Sequence, residues 1–180
     1  MDQKESNNER HFITLEGGDG SGKTTLIRIL AGLIRADAGQ VRIAGLDIAR
    51  QAVEVRRHIG VVTHETLLYA DLTGHENLAF FGRMFNIDSI DDRITEIANL
   101  LGLKDHLNQR VGTLSHGFQK RFSIARALLH NPPLLVMDEP ESGLDLEALS
   151  LLDSAWDKSV SPARSILMPT HHLNRGIAFG

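Results

Sequence analysis

Ten residues near the start of the chain, Glu16-Gly17-Gly18-Asp19-Gly20-Ser21-Gly22-Lys23-Thr24-Thr25, restrict what it can fold into. Gly17 to Thr24 fit the spacing G-x-x-x-x-G-K-[ST]. Four glycines let successive backbone N–H groups turn inward around an anion, and the helix that follows adds the positive end of its dipole. In this pattern Lys23 reaches the outer phosphates of a bound nucleotide, and the Thr24 hydroxyl ligates Mg²⁺. The pattern requires a strand before it and a helix after it. Phe12–Glu16 is short, apolar and β-prone, while Lys23–Arg35 carries Leu26, Ile27, Leu30, Leu33 and Ile34 at helical spacing.

The rest of the chain repeats that alternation. Gln40–Gly45 and His58–Val62 read as strands. Thr73 and Glu76 form a capping box opening a helix through Phe85, and Ser89–Leu103 is amphipathic. Ser115–His130 is a helix stopped by Asn131-Pro132-Pro133. Leu134–Pro140 is an apolar strand ending in acids, Leu146–Lys158 a helix, and Ser165–His172 a last strand running into histidines. Strands alternating with helices predict an α/β fold with a mostly parallel sheet covered on both faces. Residues 1–10 read as a disordered start, 11–71 and 113–180 as the core, and 72–112 as an inserted helical subdomain. Sites in such sheets lie beyond the carboxyl ends of the strands, so the glycine loop, Asp138-Glu139 and His171-His172 should converge.

Asp138, held by its strand, is placed to bind Mg²⁺ through water, and Glu139 to polarise an attacking water as general base. Leu114-Ser115-His116-Gly117-Phe118-Gln119-Lys120-Arg121 puts a serine and a glycine at a helix start. A hydroxyl, free N–H groups and the helix dipole make an anion site there without a lysine; the alternative is a serine that only caps its own turn.

The order of these motifs resembles the nucleotide-binding domains of ATP-binding cassette (ABC) ATPases, whose signature LSGGQ corresponds to the stretch from Leu114. The resemblance covers about Leu15 to Gly176. It implies a P-loop NTPase (RecA-like) fold, with ATP and Mg²⁺ as ligands. It assigns Gly17, Gly18, Asp19, Gly20, Ser21, Gly22, Lys23, Thr24 and Thr25 to nucleotide binding. Ser115, Gly117 and Gln119 are assigned to ATP held by a second subunit, and Ser142, Gly143, Leu144 and Asp145 to the dimer-contact loop. His171 takes the place of the histidine that meets the γ-phosphate and the attacking water, with His172 beside it. His64 stands where most of the family has a glutamine near Mg²⁺. Lys23, Glu139 and His171 are then the catalytic set, and Thr24, Asp138 and His64 the metal set. More narrowly, residues 59–85 and 114–145 resemble ATP-binding subunits of haem exporters used in cytochrome c maturation. The implied partners are a second such subunit, bound head to tail, and integral membrane transporter subunits. The implied place is the cytoplasmic face of the cell membrane.

Other features point elsewhere. The stretch Phe12–Thr25 resembles thymidylate kinases, although Asp92-Arg93, within an amphipathic helix, reads as a solvated pair rather than a nucleoside site. Ahead of the glycine loop the ring-bearing residues are His11 and Phe12, and Phe12 belongs to the strand, which leaves adenine recognition unassigned; the chain stops soon after His171. A nucleotide kinase and a non-hydrolysing ATP-binding fragment therefore stand as alternatives. The net charge of −4 argues against a nucleic-acid partner, and the absence of cysteine excludes disulfides and thiolate metal sites. No apolar run approaches the roughly 18 residues that span a bilayer.

Overall fold

The computed structural model describes residues 12–15, 22–138, 144, 149–151 and 164–169. Residues 1–11, the glycines and serine of 16–21, and 170–180 lie outside that set, as does most of 139–163. In chain order the elements are β1 (Phe12–Leu15), α1 (Lys23–Leu30), β2 (Arg42–Ile43), β3 (Leu46–Asp47), α2 (Ala52–His58) and β4 (Ile59–Val62). Then come α3 (Gly74–Met84), α4 (Ile90–Leu100), two 3₁₀ turns (Lys104–His106, Val111–Thr113), α5 (His116–Leu128), β5 (Leu134–Met137) and β6 (Ser165–Pro169).

Four strands form a parallel sheet in the order β1-β6-β5-β4. Leu15 is level with Pro169, and Val62 with Met137, so their carboxyl ends share one edge. Side chains alternate across it, as period-two geometry requires. Leu135, Met137, Val62 and Ile166 join α3, α4 and α5 on one face. Val136 and Leu167 meet Ile27 of α1 on the other, and α2 packs Val55 against Ile59. Helices cover both faces, as the alternation predicted.

Several local expectations are corrected. The helix expected over Lys23–Arg35 ends at Leu30, because Gly32 takes a left-handed φ of 68°. Leu33 N–H then donates to the Arg28 carbonyl and Gly32 N–H to that of Ile29, the hydrogen-bond pattern of a Schellman cap. The stripe breaks with it: Ile27 is buried, whereas Leu26 and Leu33 are 40% and 47% exposed. The strand expected at Gln40–Gly45 shrinks to one arm of a two-stranded hairpin, β2-β3, standing apart from the main sheet. Its turn residues Ala44 and Gly45 both have positive φ, the two-residue turn whose twist suits a hairpin. Asp92-Arg93 is not a solvated pair. Arg93 is half-buried, pairs with Glu96 at 2.7 Å and donates to the Leu128 and Leu129 carbonyls at the end of α5.

The capping box is present: Glu76 N–H donates to the Thr73 hydroxyl at 3.1 Å, and Thr73 N–H to the Glu76 carboxylate at 2.8 Å. Backbone and hydroxyl donation by Thr73 holds the Glu76 carboxyl below its ordinary range. The helical segment enters and leaves through a paired neck. Gly74 N–H donates to Gln109, His75 to Leu107, Val111 to Leu72 and Gly112 to Ala70. A side chain at Gly74 would strike the buried ring of Phe122, so α3 needs glycine to approach α5 this closely. Of the aromatics on α3 and its cap, Phe81 and Phe85 are half-buried, while Phe80, beside the exposed Tyr69, stays on the surface at 39%.

Candidate nucleotide site

The parallel order brings four chain segments to one edge. The glycine loop connects β1 to α1, the acids follow β5, the histidines follow β6, and His64 follows β4. With strands about 4.8 Å apart, the four ends span about 14 Å, the scale of a triphosphate with its metal. Of the glycine loop, Gly22 is described. It has φ 77°, no side chain caps α1 from it, and no acid occupies the first turn. A Cβ placed there would meet nothing within 4 Å. Among the described residues nothing takes up the first N–H groups of α1 or crowds Gly22, which fits a phosphate. Lys23 and Thr24 begin that helix, and Thr25 is exposed. Gly17, Gly18, Asp19, Gly20 and Ser21 lie outside the described residues, as do Glu139, Ser142, Gly143, Asp145, His171 and His172.

Asp138 is half-buried at the end of β5, its N–H donating to the Val62 carbonyl at 2.8 Å. That bond extends the ladder and fixes where its carboxylate leaves the sheet. Among the described residues no three His, Asp or Glu side chains gather into a metal cage. An ion here would lean on phosphate oxygens as well as protein, and Mg²⁺ is commonly held that way. A threonine hydroxyl and an aspartate carboxylate, the side chains of Thr24 and Asp138, are oxygen donors of the kind it favours. The imidazole of the exposed His64 is a poorer match for so hard a cation, and suits a hydrogen bond to water better.

The serine-led helix lies elsewhere. α5 runs antiparallel to β4, since Lys120 reaches the Thr63 carbonyl past the strand's end and His130 reaches Ile59 at its start. This puts Ser115 at the carboxyl edge, but beyond β4, across the sheet from β1. Ser115 is exposed and caps its own helix, accepting from Phe118 N–H at 3.4 Å. Gly117 is half-buried. Gln119 donates its amide back to the Leu114 carbonyl at 3.0 Å, bracing the turn. Phe118 packs on His106, with Arg121 over its ring. Leu144, from the loop after the acids, packs against the core shared by α3, α4 and α5.

Three basic side chains on or just after α5 escaped the sequence reading: Lys120, Arg126 and His130. Lys120 and Arg126 are charges in a helix that also carries Phe122, Ile124, Ala125, Ala127 and Leu128, and that was the available signal. Burial lowers Arg126 to about 10, so it stays charged at neutral pH. Burial also takes His130 down to about 4, against the opposing pull of its bond to Ile59.

Comparison with known proteins agrees with this fold. The ABC transporter family model matches residues 4–142. The ABC transporter ATP-binding protein NatA of Bacillus subtilis is 35% identical over 162 residues, covering 88% of this chain and 66% of the relative. The Nod factor export ATP-binding protein I of Paraburkholderia xenovorans is 37% identical over 161 residues, covering 88% of this chain and 53% of the relative. The chain thus spans between about half and two-thirds of these relatives' lengths. A solved dimer of the ATP-binding cassette MJ0796, in a post-hydrolysis state with ADP and Pi, superposes with a TM-score of 0.79 at 27% identity, covering 96% of this chain and 78% of that one. The chain belongs to the family of ABC transporter ATP-binding domains.

Proposed function

We propose that this chain binds and hydrolyses ATP as one of two head-to-tail subunits that power export through separate membrane proteins, at the cytoplasmic face of the cell membrane. The observation that carries the reading is the strand order. The phosphate loop leaves β1 at one end of the sheet, and the serine-led helix flanks β4 at the other. One chain cannot close both on one nucleotide, whereas two chains in opposed orientation can. The dimeric MJ0796 cassette supports that geometry. Export as the direction is supported by relatives named for Nod factor export and for daunorubicin resistance. Haem is the cargo favoured by the resemblance of residues 59–85 and 114–145 to haem exporters.

In this reading the N–H groups at the start of α1 and Lys23 hold the β- and γ-phosphates. Thr24 and Asp138 hold Mg²⁺, which when bound neutralises charge on the phosphate oxygens. Glu139 takes the proton of the attacking water, His171 and His64 orient that water, and Ser115, Gly117 and Gln119 of the second copy face the γ-phosphate. Asp145 and its neighbours line the contact between copies. The exposed Phe80 and Tyr69, whose rings meet edge to face, offer an apolar surface to the membrane subunits.

Steady-state phosphate release, with light scattering for mass, tests the reading. Lys23→Ala should lose ATP binding. Glu139→Gln should bind ATP normally, hydrolyse it at least about a hundredfold more slowly and accumulate as a dimer. Equal turnover by Glu139→Gln and the parent would overturn the base assignment, and phosphate transfer to thymidylate would replace the reading with a kinase.

A further inference from the structure

Among the described residues β4 ends the sheet, so alternate carbonyls of its outer edge need donors. The Val62 carbonyl faces β5, accepting from Asp138, and those of Ile59, Val61 and Thr63 face away. Each outward carbonyl receives a side chain from α5 or just beyond it. His130 Nε2 donates to Ile59 at 3.0 Å, Arg126 to Val61 at 2.7 Å, and Lys120 Nζ to Thr63 at 3.2 Å. The first two brace regular strand. The third differs in what it joins. Lys120 is 2% exposed and lies five residues from Ser115, little more than one turn into α5. Its acceptor is the residue at which strand becomes loop. The Thr63 hydroxyl in turn donates to the Glu65 carbonyl at 2.8 Å, folding the loop around the exposed His64. A buried ammonium is strongly unfavourable unless hydrogen-bonded, so Lys120 holds to that carbonyl firmly.

We infer that Lys120 is a positioning residue, fixing His64 relative to Ser115 so that any shift of the serine-led helix on closure carries His64 with it. The consequence for turnover rests on the ATPase reading above; the tie between helix and loop does not. Lys120→Met keeps the length and apolar stem but cannot donate, and Lys120→Arg can still donate to Thr63. Because the chain has no cysteine, Glu65→Cys gives a single exposed site for a nitroxide label beside His64.

The test combines ATP hydrolysis by the full chain with the spin-label spectrum recorded without nucleotide. Lys120→Met should lower kcat about tenfold to a hundredfold, with the KM for ATP within about threefold of the parent, because a misplaced group costs rate more than affinity. Lys120→Arg should recover at least about a third of the parent kcat. The label at position 65 should become clearly more mobile in Lys120→Met and not in Lys120→Arg. An unchanged spectrum in Lys120→Met, or a rise in KM at unchanged kcat, overturns the inference. Should Lys120→Met fail to fold, Lys120→Leu, which also cannot donate, takes its place on the same criteria. A parent that hydrolyses no ATP would sink the ATPase reading alone, and the label spectrum would still decide the tie.

Discussion

His130 shows how one half-buried side chain contributes to the acid sensitivity of the fold. Its ring stacks on Phe85 at 3.9 Å and donates to Ile59, and burial lowers its pKa from 6.5 to about 4. Between those values the unfolded chain binds a proton that the folded chain refuses. The stability that follows is full above about pH 6.5 and is lost as pH falls toward 4, by up to about 3 kcal/mol. Thermal unfolding followed from pH 7 to 4.5 should show that decline. His130→Gln, which can still donate to Ile59 but does not titrate, should flatten it at the cost of the aromatic stack. An equally steep decline in His130→Gln would place the acid sensitivity elsewhere.

At the scale of elements, α5 is held at both ends by partners distant in sequence. Ser115 caps its start, and Arg93 of α4 takes up the carbonyls of Leu128 and Leu129 at its finish. A cation at a helix C-terminus, hydrogen-bonded to orphan carbonyls, contributes about 1–2 kcal/mol. Arg93→Ala should cost that much in urea unfolding, while Asp92→Ala should stay within about 0.5 kcal/mol. Equal losses would return the two residues to the solvated pair first read from the sequence. That misreading shows what periodicity carries and what it omits. The type and order of the long elements were legible because their apolar spacing is local, and Thr73 with Glu76 is a capping signal within four residues. Arg93 meets its partners 35 and 36 positions away, which no local pattern encodes. The hairpin β2-β3 escaped because its turn uses Ala44 where glycine or asparagine would have marked it. The phosphate loop stood out because its chemistry needs particular residues at fixed intervals. The Lys120 tie did not, since any long donor on that face of α5 would serve.

For the whole molecule, the separation of Gly22 and Ser115 across the sheet makes a prediction about mixtures. Lys23→Ala damages only the loop, and Ser115→Arg only the serine-led helix. If each site is built from two chains, neither variant alone hydrolyses ATP, yet a mixed pair keeps one intact site. Equal mixing should restore about a quarter of the parent rate, from random pairing of two kinds of subunit. Mixtures as inactive as their components would mean that each chain works alone. A last consequence follows from the neck at residues 70–75 and 107–112, where the outgoing and returning backbone are stitched side by side. The backbone between those stitches enters and leaves at one place, so lengthening it adds little loop-closure entropy to the sheet. Insertions at the exposed turns of this segment are therefore cheap, whereas exchanging the α3-α4 pair also means rebuilding the core it shares with α5 and the carbonyl contacts of Arg93.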